Sequence, residues 1–397
     1  MDSTSHRFFA PCPRGLETVL DEELHELGLS STQKTDGGVA FQGRWREMYR
    51  VNLESRLASR VLWEVGRSGY ASEQDVYQAA NRLPWPDWFT PDKTIKVKVS
   101  AQQCPLPSLD FLTLRIKDAV CDRFITVCHR RPDVDTRSPH IRIDAFLDRT
   151  SVTFYLDTSG DALFKRGYRR ARVEAPLREN LAAGLLRLAG WMPDEPLLDP
   201  MCGGGTISLE AAMMTRRIAP GIGRRFAVEA FTMHDAQQWR TLHAAAQAAC
   251  VETPVAIHAS DHDPHAIRIA GELFRTAGVA DDIRLSQADI LDVRPPAPSG
   301  VMLINPPYGV RLSRPDELDG FYPKLGDHLK RHFAGWRVYV FTGDLRVPKL
   351  IGLAPSKRIP LFNGPIECRL YEFQIVAGSM RKHARAGRSN GDSRRVS

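Results

Sequence analysis

Apolar and polar positions alternate between two periods along this chain. Residues 16–27 repeat their apolar positions at helical spacing, 38–41 read as a strand, and 45–57 form a second helical stretch. The same alternation continues through an apolar segment at 8–10, a strand at 61–65 and a helix at 73–82. In 94–99 the strict alternation Thr94-Ile95-Lys96-Val97-Lys98-Val99 predicts a strand with one face in solvent. A further helix is expected over 109–124. The apolar runs 141–147 and 152–156, separated by Asp148-Arg149-Thr150-Ser151, carry a hairpin signal. These are small α/β units without a catalytic constellation.

From residue 196 the pattern changes to short, fully apolar runs, each followed by polar or glycine-rich sequence. Pro196-Leu197-Leu198-Asp199 leads into Pro200-Met201-Cys202-Gly203-Gly204-Gly205-Thr206, and 207–215 returns to helical spacing. Strand, glycine loop and helix is an arrangement that lets backbone approach a ligand and presents free N–H groups to it. The loop lacks both the dinucleotide pattern GxGxxG and the GK[ST] ending of a phosphate loop. Strands are expected at 255–260 and 283–288, and Asp263-Pro264 reads as a helix cap followed by a first helical residue. The run Val301-Met302-Leu303-Ile304 ends at Asn305-Pro306-Pro307-Tyr308. Two prolines cannot continue a central strand, so the chain turns outward there. The Asn305 side-chain oxygen and the Pro306 carbonyl can then accept hydrogen bonds from the amino group of a flat base, on which Tyr308 offers a stacking face. Beyond this elbow a helix is expected over 319–333, a strand over 337–342, and a final strand pair turning at Asn363-Gly364-Pro365.

Composition limits the partners. The chain has 397 residues, enough for two or three domains, and its 43% hydrophobic and 25% charged content is that of a soluble globular protein. It has no apolar run of about 18 residues and no signal-like start, so no membrane association is expected and the localisation expected is cytoplasmic. Seven scattered cysteines without a C-x-x-C pair argue against a metal or disulfide framework. Of the formal charge of +7, a tail of Gly, Ser and Arg at 379–397 accounts for +5, and that tail is expected to be disordered. The internal cluster Lys165-Arg166-Gly167-Tyr168-Arg169-Arg170-Ala171-Arg172 is more informative, since five positive charges around one aromatic suit contact with RNA phosphates. On this reading Lys165, Arg166, Arg169 and Arg170 are RNA-binding residues.

Several motifs occur together: Arg14-Gly15-Leu16-Glu17, Gly37-Gly38-Val39 with Phe41, Ser55-Arg56-Leu57-Ala58-Ser59-Arg60, Ser159-Gly160-Asp161 leading to Arg166-Gly167-Tyr168-Arg169, and Asp199 to Thr206. In this combination the chain resembles the THUMP-domain, class I S-adenosylmethionine-dependent RNA guanine-N2 methyltransferases over about 7–376, and within them the enzymes of large-subunit ribosomal RNA. The resemblance implies an α/β chain: a Rossmann-like, seven-stranded class I methyltransferase domain preceded by ferredoxin-like and THUMP RNA-binding units. The implied divisions are a ferredoxin-like region at 1–45, a THUMP domain at 46–158, a basic linker at 159–174, the methyltransferase domain at 175–378 and the tail at 379–397. Some members carry a second methyltransferase, and the expectation here is a stand-alone form.

The resemblance also implies roles. Asp199, Gly203 and Gly205 match the loop around the methionine part of S-adenosylmethionine, Asp261 the acid that holds the ribose hydroxyls, and Asp289 the acid near the adenine amino group. Asp261 lies 62 residues after Asp199, so 216–249 is expected to be an insertion. Gly204 stands where serine is commoner. Asn305, Pro306 and Tyr308 are the expected catalytic residues, and ribosomal RNA of the large subunit is the expected partner. A DNA adenine methyltransferase would use the same elbow, and a transfer RNA enzyme or a noncatalytic RNA-binding assembly factor would share the domain pair. An NAD-dependent oxidoreductase is disfavoured for want of GxGxxG.

Overall fold

The computed structural model describes residues 4–168, 177–252, 256–307 and 315–377. Tyr308, Arg169, Arg170 and the 379–397 tail lie outside the described residues. The chain builds two mixed sheets of seven strands each.

In the front half these are β1 (His6–Pro11), β2 (Thr32–Thr35), β3 (Gly38–Gly43), β4 (Leu62–Gly69), β5 (Ile95–Ala101), β6 (Ile141–Leu147) and β7 (Ser151–Asp157). Their order across the sheet is β2-β3-β1-β4-β7-β6-β5, so β4 occupies the centre. It pairs antiparallel with β1 through Phe8↔Trp63 and with β7 through Leu62↔Asp157. What the periodicity presents as separate small units is therefore one continuous sheet. The expected hairpin joins β6 to β7, where the Asp148 carboxylate accepts the N–H groups of Thr150 and Ser151 at 2.8 and 2.6 Å. β2 escapes the periodicity because Thr-Gln-Lys-Thr has no apolar alternation and is mostly exposed. The helix expected over 45–57 stops at Glu54. The buried Glu23 carboxylate captures the Ser55 hydroxyl at 2.6 Å and the Arg56 and Leu57 N–H groups at 2.9 and 3.3 Å, which pulls the chain out of the helix.

The second sheet comprises β8 (Leu197–Asp199), β9 (Ile257–Asp261), β10 (Ile283–Gln287), β11 (Gly300–Ile304), β12 (Trp336–Thr342), β13 (Lys357–Asn363) and β14 (Ile366–Gln374), in the order β10-β9-β8-β11-β12-β14-β13. β8 to β12 are parallel, while β14 runs antiparallel to β12 and forms a hairpin with β13 across Gly364, whose φ is +61°. Both faces of β11 are buried: Val301 and Leu303 belong to one core, Met302 and Ile304 to another. This is why its sequence is apolar without alternation.

The first of those cores also contains Phe8, Leu16, Phe154 and Leu156 from the front half, so both halves share it. The helix Glu179–Leu188 meets the helix Glu17–Glu26 so closely that a Cβ on Gly184 would lie 2.5 Å from a Leu16 methyl. The stretch between the glycine loop and β9 supplies the helix Ala236–Ala248, capped by Asp235. Its Trp239 ring lies 5.6 Å from that of Tyr49, whose hydroxyl is 3.0 Å from His234 Nδ1. Among the described residues no helix is long and apolar enough to cross a membrane, and no group of three or more His, Cys, Asp or Glu is placed to hold a metal ion.

Candidate active site

In the second sheet β8 comes first in sequence, β9 and β10 add on one side of it, and β11 and β12 add on the other. The chain therefore reverses direction between β8 and β11, and a crevice opens outside the carboxyl ends of strands at such a point. Asp199, Asp261, Asp289 and Asn305 all lie at the carboxyl ends of four adjacent parallel strands.

Asp199 ends β8 and is fully buried. Its Oδ2 accepts the Ser208 hydroxyl at 2.8 Å, and its Oδ1 has no hydrogen-bond partner among the described residues. Burial pushes this carboxyl up to about 7, and the nearby Asp261 charge adds to the rise. A buried acceptor without a donor is costly, so the atom is suited to a ligand that brings one.

The glycine loop that follows is held by backbone and by Asp261. Cys202 N–H donates to the Ser260 carbonyl at 2.9 Å and Gly205 N–H to the Cys202 carbonyl at 2.8 Å. Asp261 Oδ2 accepts the Gly203 N–H at 2.9 Å, and Oδ1 accepts the Asp263 N–H at 3.0 Å. Asp263 itself caps the helix Pro264–Ala277, accepting the His265 N–H at 2.8 Å, as the Asp-Pro pair suggests. Gly203 and Gly205 have φ of +52° and +77°, values that favour glycine. A Cβ on Gly205 would strike the Phe274 ring at 2.6 Å, whereas one on Gly203 would meet nothing within 4 Å. One glycine thus permits close helix packing, and the other faces open space above the loop.

Asp289 is exposed and its Oδ1 accepts the Leu291 N–H at 2.8 Å, while Oδ2 has no hydrogen bond among the described residues. Its neighbour Ala288 donates to the Asp261 carbonyl at 3.0 Å, which ties the ends of β9 and β10 together. Asn305 follows β11, is partly buried, and its Oδ1 has no hydrogen-bond partner among the described residues. Pro306 is buried behind it and Pro307 is exposed.

The basic cluster before this domain divides. Lys165 is exposed, with its ammonium 3.6 Å from Asp161. Arg166, expected to contact RNA, does not reach solvent: its side chain is fully buried and forms an ion pair with Glu210 at 3.2 Å. The Arg166 assignment is therefore corrected. A buried carboxylate on the helix Thr206–Thr215, 44 residues away, draws the guanidinium inward.

A second basic surface lies on the front sheet. A groove of about 1330 Å³ is lined by Arg7, Arg60, Arg67, Lys96, Lys98 and Arg142, interrupted by Asp36, Glu64, Asp144 and Asp148. Lys96 pairs in register with Arg142 and Lys98 with Asp144. The sequence signal for this surface is the polar phase of the alternation in 94–99, which places both lysines on one face. Burial, with the Asp157 charge adding, pushes the Asp144 carboxyl up to about 6.

Three family models match. An RlmL ferredoxin-like domain covers 7–62, a THUMP domain 70–157, and an RMKL-like methyltransferase domain 166–372. The ribosomal RNA large subunit methyltransferase K/L of Allochromatium vinosum is 39% identical over 94% of this chain and 52% of its own length. The chain thus spans about half the length of such K/L relatives. A Synechocystis protein named as an RNA methyltransferase, slr0064, is 36% identical over 94% of this chain and 98% of its own. Among solved structures, SMU.472, named as a methyltransferase and complexed with SAH, has a TM-score of 0.86 at 29% identity, covering 95% of this chain and all of that one. With those matches over both halves, and with four parallel strand ends converging on one crevice, this chain belongs to the RMKL-like methyltransferase family.

Proposed function

We propose that the chain transfers a methyl group from S-adenosylmethionine to the exocyclic N2 amine of a guanine in large-subunit ribosomal RNA, in the cytoplasm. The observation that carries this reading is the buried Asn305 oxygen, which has no hydrogen-bond partner among the described residues, beside the crevice at β8 and β11. Asp199 Oδ1 and the open space above Gly203 fit the methionine part of the cofactor, Asp261 its ribose and Asp289 its adenine. The bound cofactor supplies a methyl group on an electrophilic sulfonium.

The chain's own work is orientation. A guanine N2 lone pair is delocalised into the ring, which makes the amine a poor nucleophile. Accepting its two N–H groups at Asn305 Oδ1 and the Pro306 carbonyl favours a pyramidal nitrogen with its lone pair aimed at the methyl carbon. The base must first leave its stack, and Tyr308 supplies the aromatic face on which it rests. The N–C bond would form at the expense of the methyl–sulfur bond, whose electron pair would stay with sulfur, and the surplus N2 proton would pass to water or to the Pro306 carbonyl. No separate general base is required. Lys165, Arg169 and Arg170 and the groove on the front sheet hold the phosphates.

Incubating the chain with methyl-labelled S-adenosylmethionine and ribosomal RNA, transfer RNA or DNA, followed by nucleoside analysis, tests the reading. The expected product is N2-methylguanosine in ribosomal RNA, abolished by Asn305→Ala with RNA binding retained. Label in adenine, or no transfer to RNA, would overturn it.

A further inference from the structure

Arg166 makes four hydrogen bonds inside the protein. Its Nε and Nη2 reach Glu210 Oε1 and Oε2 at 3.2 and 3.4 Å, Nη1 donates to the Leu163 carbonyl at 2.9 Å, and Nη2 donates to the Arg56 carbonyl at 2.7 Å. Tyr168 adds a hydroxyl to Glu210 Oε1 at 3.1 Å. From the front half, Arg56 comes within 3.7 Å of Glu210 Oε2 and donates to the Met213 and Ile218 carbonyls at 3.1 and 2.7 Å. The Arg56 backbone N–H is in turn fixed by Glu23 at 2.9 Å. Two guanidinium groups are thereby balanced by two carboxylates; the Arg166 and Glu210 side chains are fully buried and that of Arg56 is 11% exposed.

The location of this cluster is informative. Glu210 stands on the helix Thr206–Thr215, which begins directly after the glycine loop, and Met213 is on the same helix. Glu23 and Arg56 belong to the half that carries the basic groove, and Arg166 and Tyr168 to the segment joining the halves. One helix is therefore clamped on its buried side by both. Replacing such an ion cluster by apolar packing would serve stability as well or better, so stability alone is a weak reason for it. Its directional bonds define one position and one rotation of the helix.

We infer that Arg56, Arg166, Tyr168 and Glu210 are positioning residues that set the cofactor-loop helix at a fixed offset from the RNA-holding front half, so that methyl carbon and target amine meet in line. The inference rests on the reading under Proposed function. In-line transfer is sensitive to displacements of about 1 Å, which cost on the order of 100-fold in rate.

The test uses the full chain and Arg166→Lys, which keeps the charge but cannot span Glu210 and both carbonyls. Three quantities are measured: kcat per SAH-binding site counted by calorimetry, KM for ribosomal RNA, and Kd for SAH. The expected result is a kcat about 10- to 100-fold lower, with KM and Kd each within about threefold of the parent chain. A kcat within about threefold of the parent, or a rate loss matched by an equal loss of SAH or RNA affinity, overturns the inference. If Arg166→Lys does not fold, as judged by circular dichroism, Tyr168→Phe decides, with the same split expected at about 3- to 10-fold. Failure of the parent chain to methylate RNA would instead refute the function itself.

Discussion

The Asp261 carboxylate accepts the Gly203 N–H at 2.9 Å across 58 residues of chain. The end of β9 thus braces the glycine loop that follows β8, and the same carboxylate retains lone pairs for a ligand. Removing it withdraws a charged acceptor from both. Asp261→Ala is expected to weaken SAH binding about 10- to 100-fold by calorimetry, the range of a lost hydrogen bond to a charged group. Unchanged affinity would refute the ribose role.

The two left-handed glycines of that loop are expected to fail differently. Gly205→Ala places a methyl 2.6 Å from the Phe274 ring at φ +77°, so its melting temperature falls by several degrees. Gly203→Ala meets no neighbour at φ +52°, so its cost is limited to about 1–2 kcal/mol of backbone strain while the methyl intrudes on the ligand space. Melting curves with and without SAH separate the outcomes: the Gly203 variant loses the SAH-induced rise, and the Gly205 variant loses baseline stability.

Asp199 gives the pH dependence a definite sign. Its folded-state value of about 7 lies above the ordinary 3.8, so between these values the native chain holds a proton that the unfolded chain releases. The stability contributed by this group is full below the ordinary value and falls as pH rises through about 7. Asp199→Asn mimics the neutral form. Its melting temperature is expected to exceed that of the parent by a margin that grows from about pH 4 to 7 and then levels. In the parent, SAH affinity rises over the same interval, because the ammonium of the ligand favours the carboxylate, and the variant shows no such rise. A pH-independent margin would place the titration elsewhere.

The groove on the front sheet makes a salt-dependent prediction. Lys96→Ala with Lys98→Ala is expected to lower RNA affinity and to reduce the slope of log affinity against log salt by about one to two, with SAH affinity unchanged. A slope equal to that of the parent would remove the groove from the RNA path.

Features governed by neighbouring residues were legible in the sequence. The apolar run of β11 announced a doubly buried strand, Asp263-Pro264 announced its cap, and Asp148 its turn. Features governed by distant partners were not. Arg166 looks like any other member of a basic run until Glu210, far along the chain, captures it, and Ser55 looks helical until Glu23 takes its hydroxyl. The long interval before Asp261 was legible as an insertion, but its docking on Tyr49 through Trp239 depends on a surface built elsewhere. The acceptor at Asn305 could be named from its residue type, whereas its lack of a partner among the described residues is a property of packing.

The ferredoxin-like match ends at residue 62 and the THUMP match begins at 70, so all of β4 (Leu62–Gly69) but its first residue falls between them. The gap between the two matches is the middle strand of the sheet, in keeping with the strand expected at 61–65. Cloning either unit to those limits would discard nearly all of that strand and leave β1 or β7 with a bare, hydrogen-bonding edge prone to self-association. The smallest front fragment with its sheet intact spans 6–157, because the two matched units contribute to one sheet.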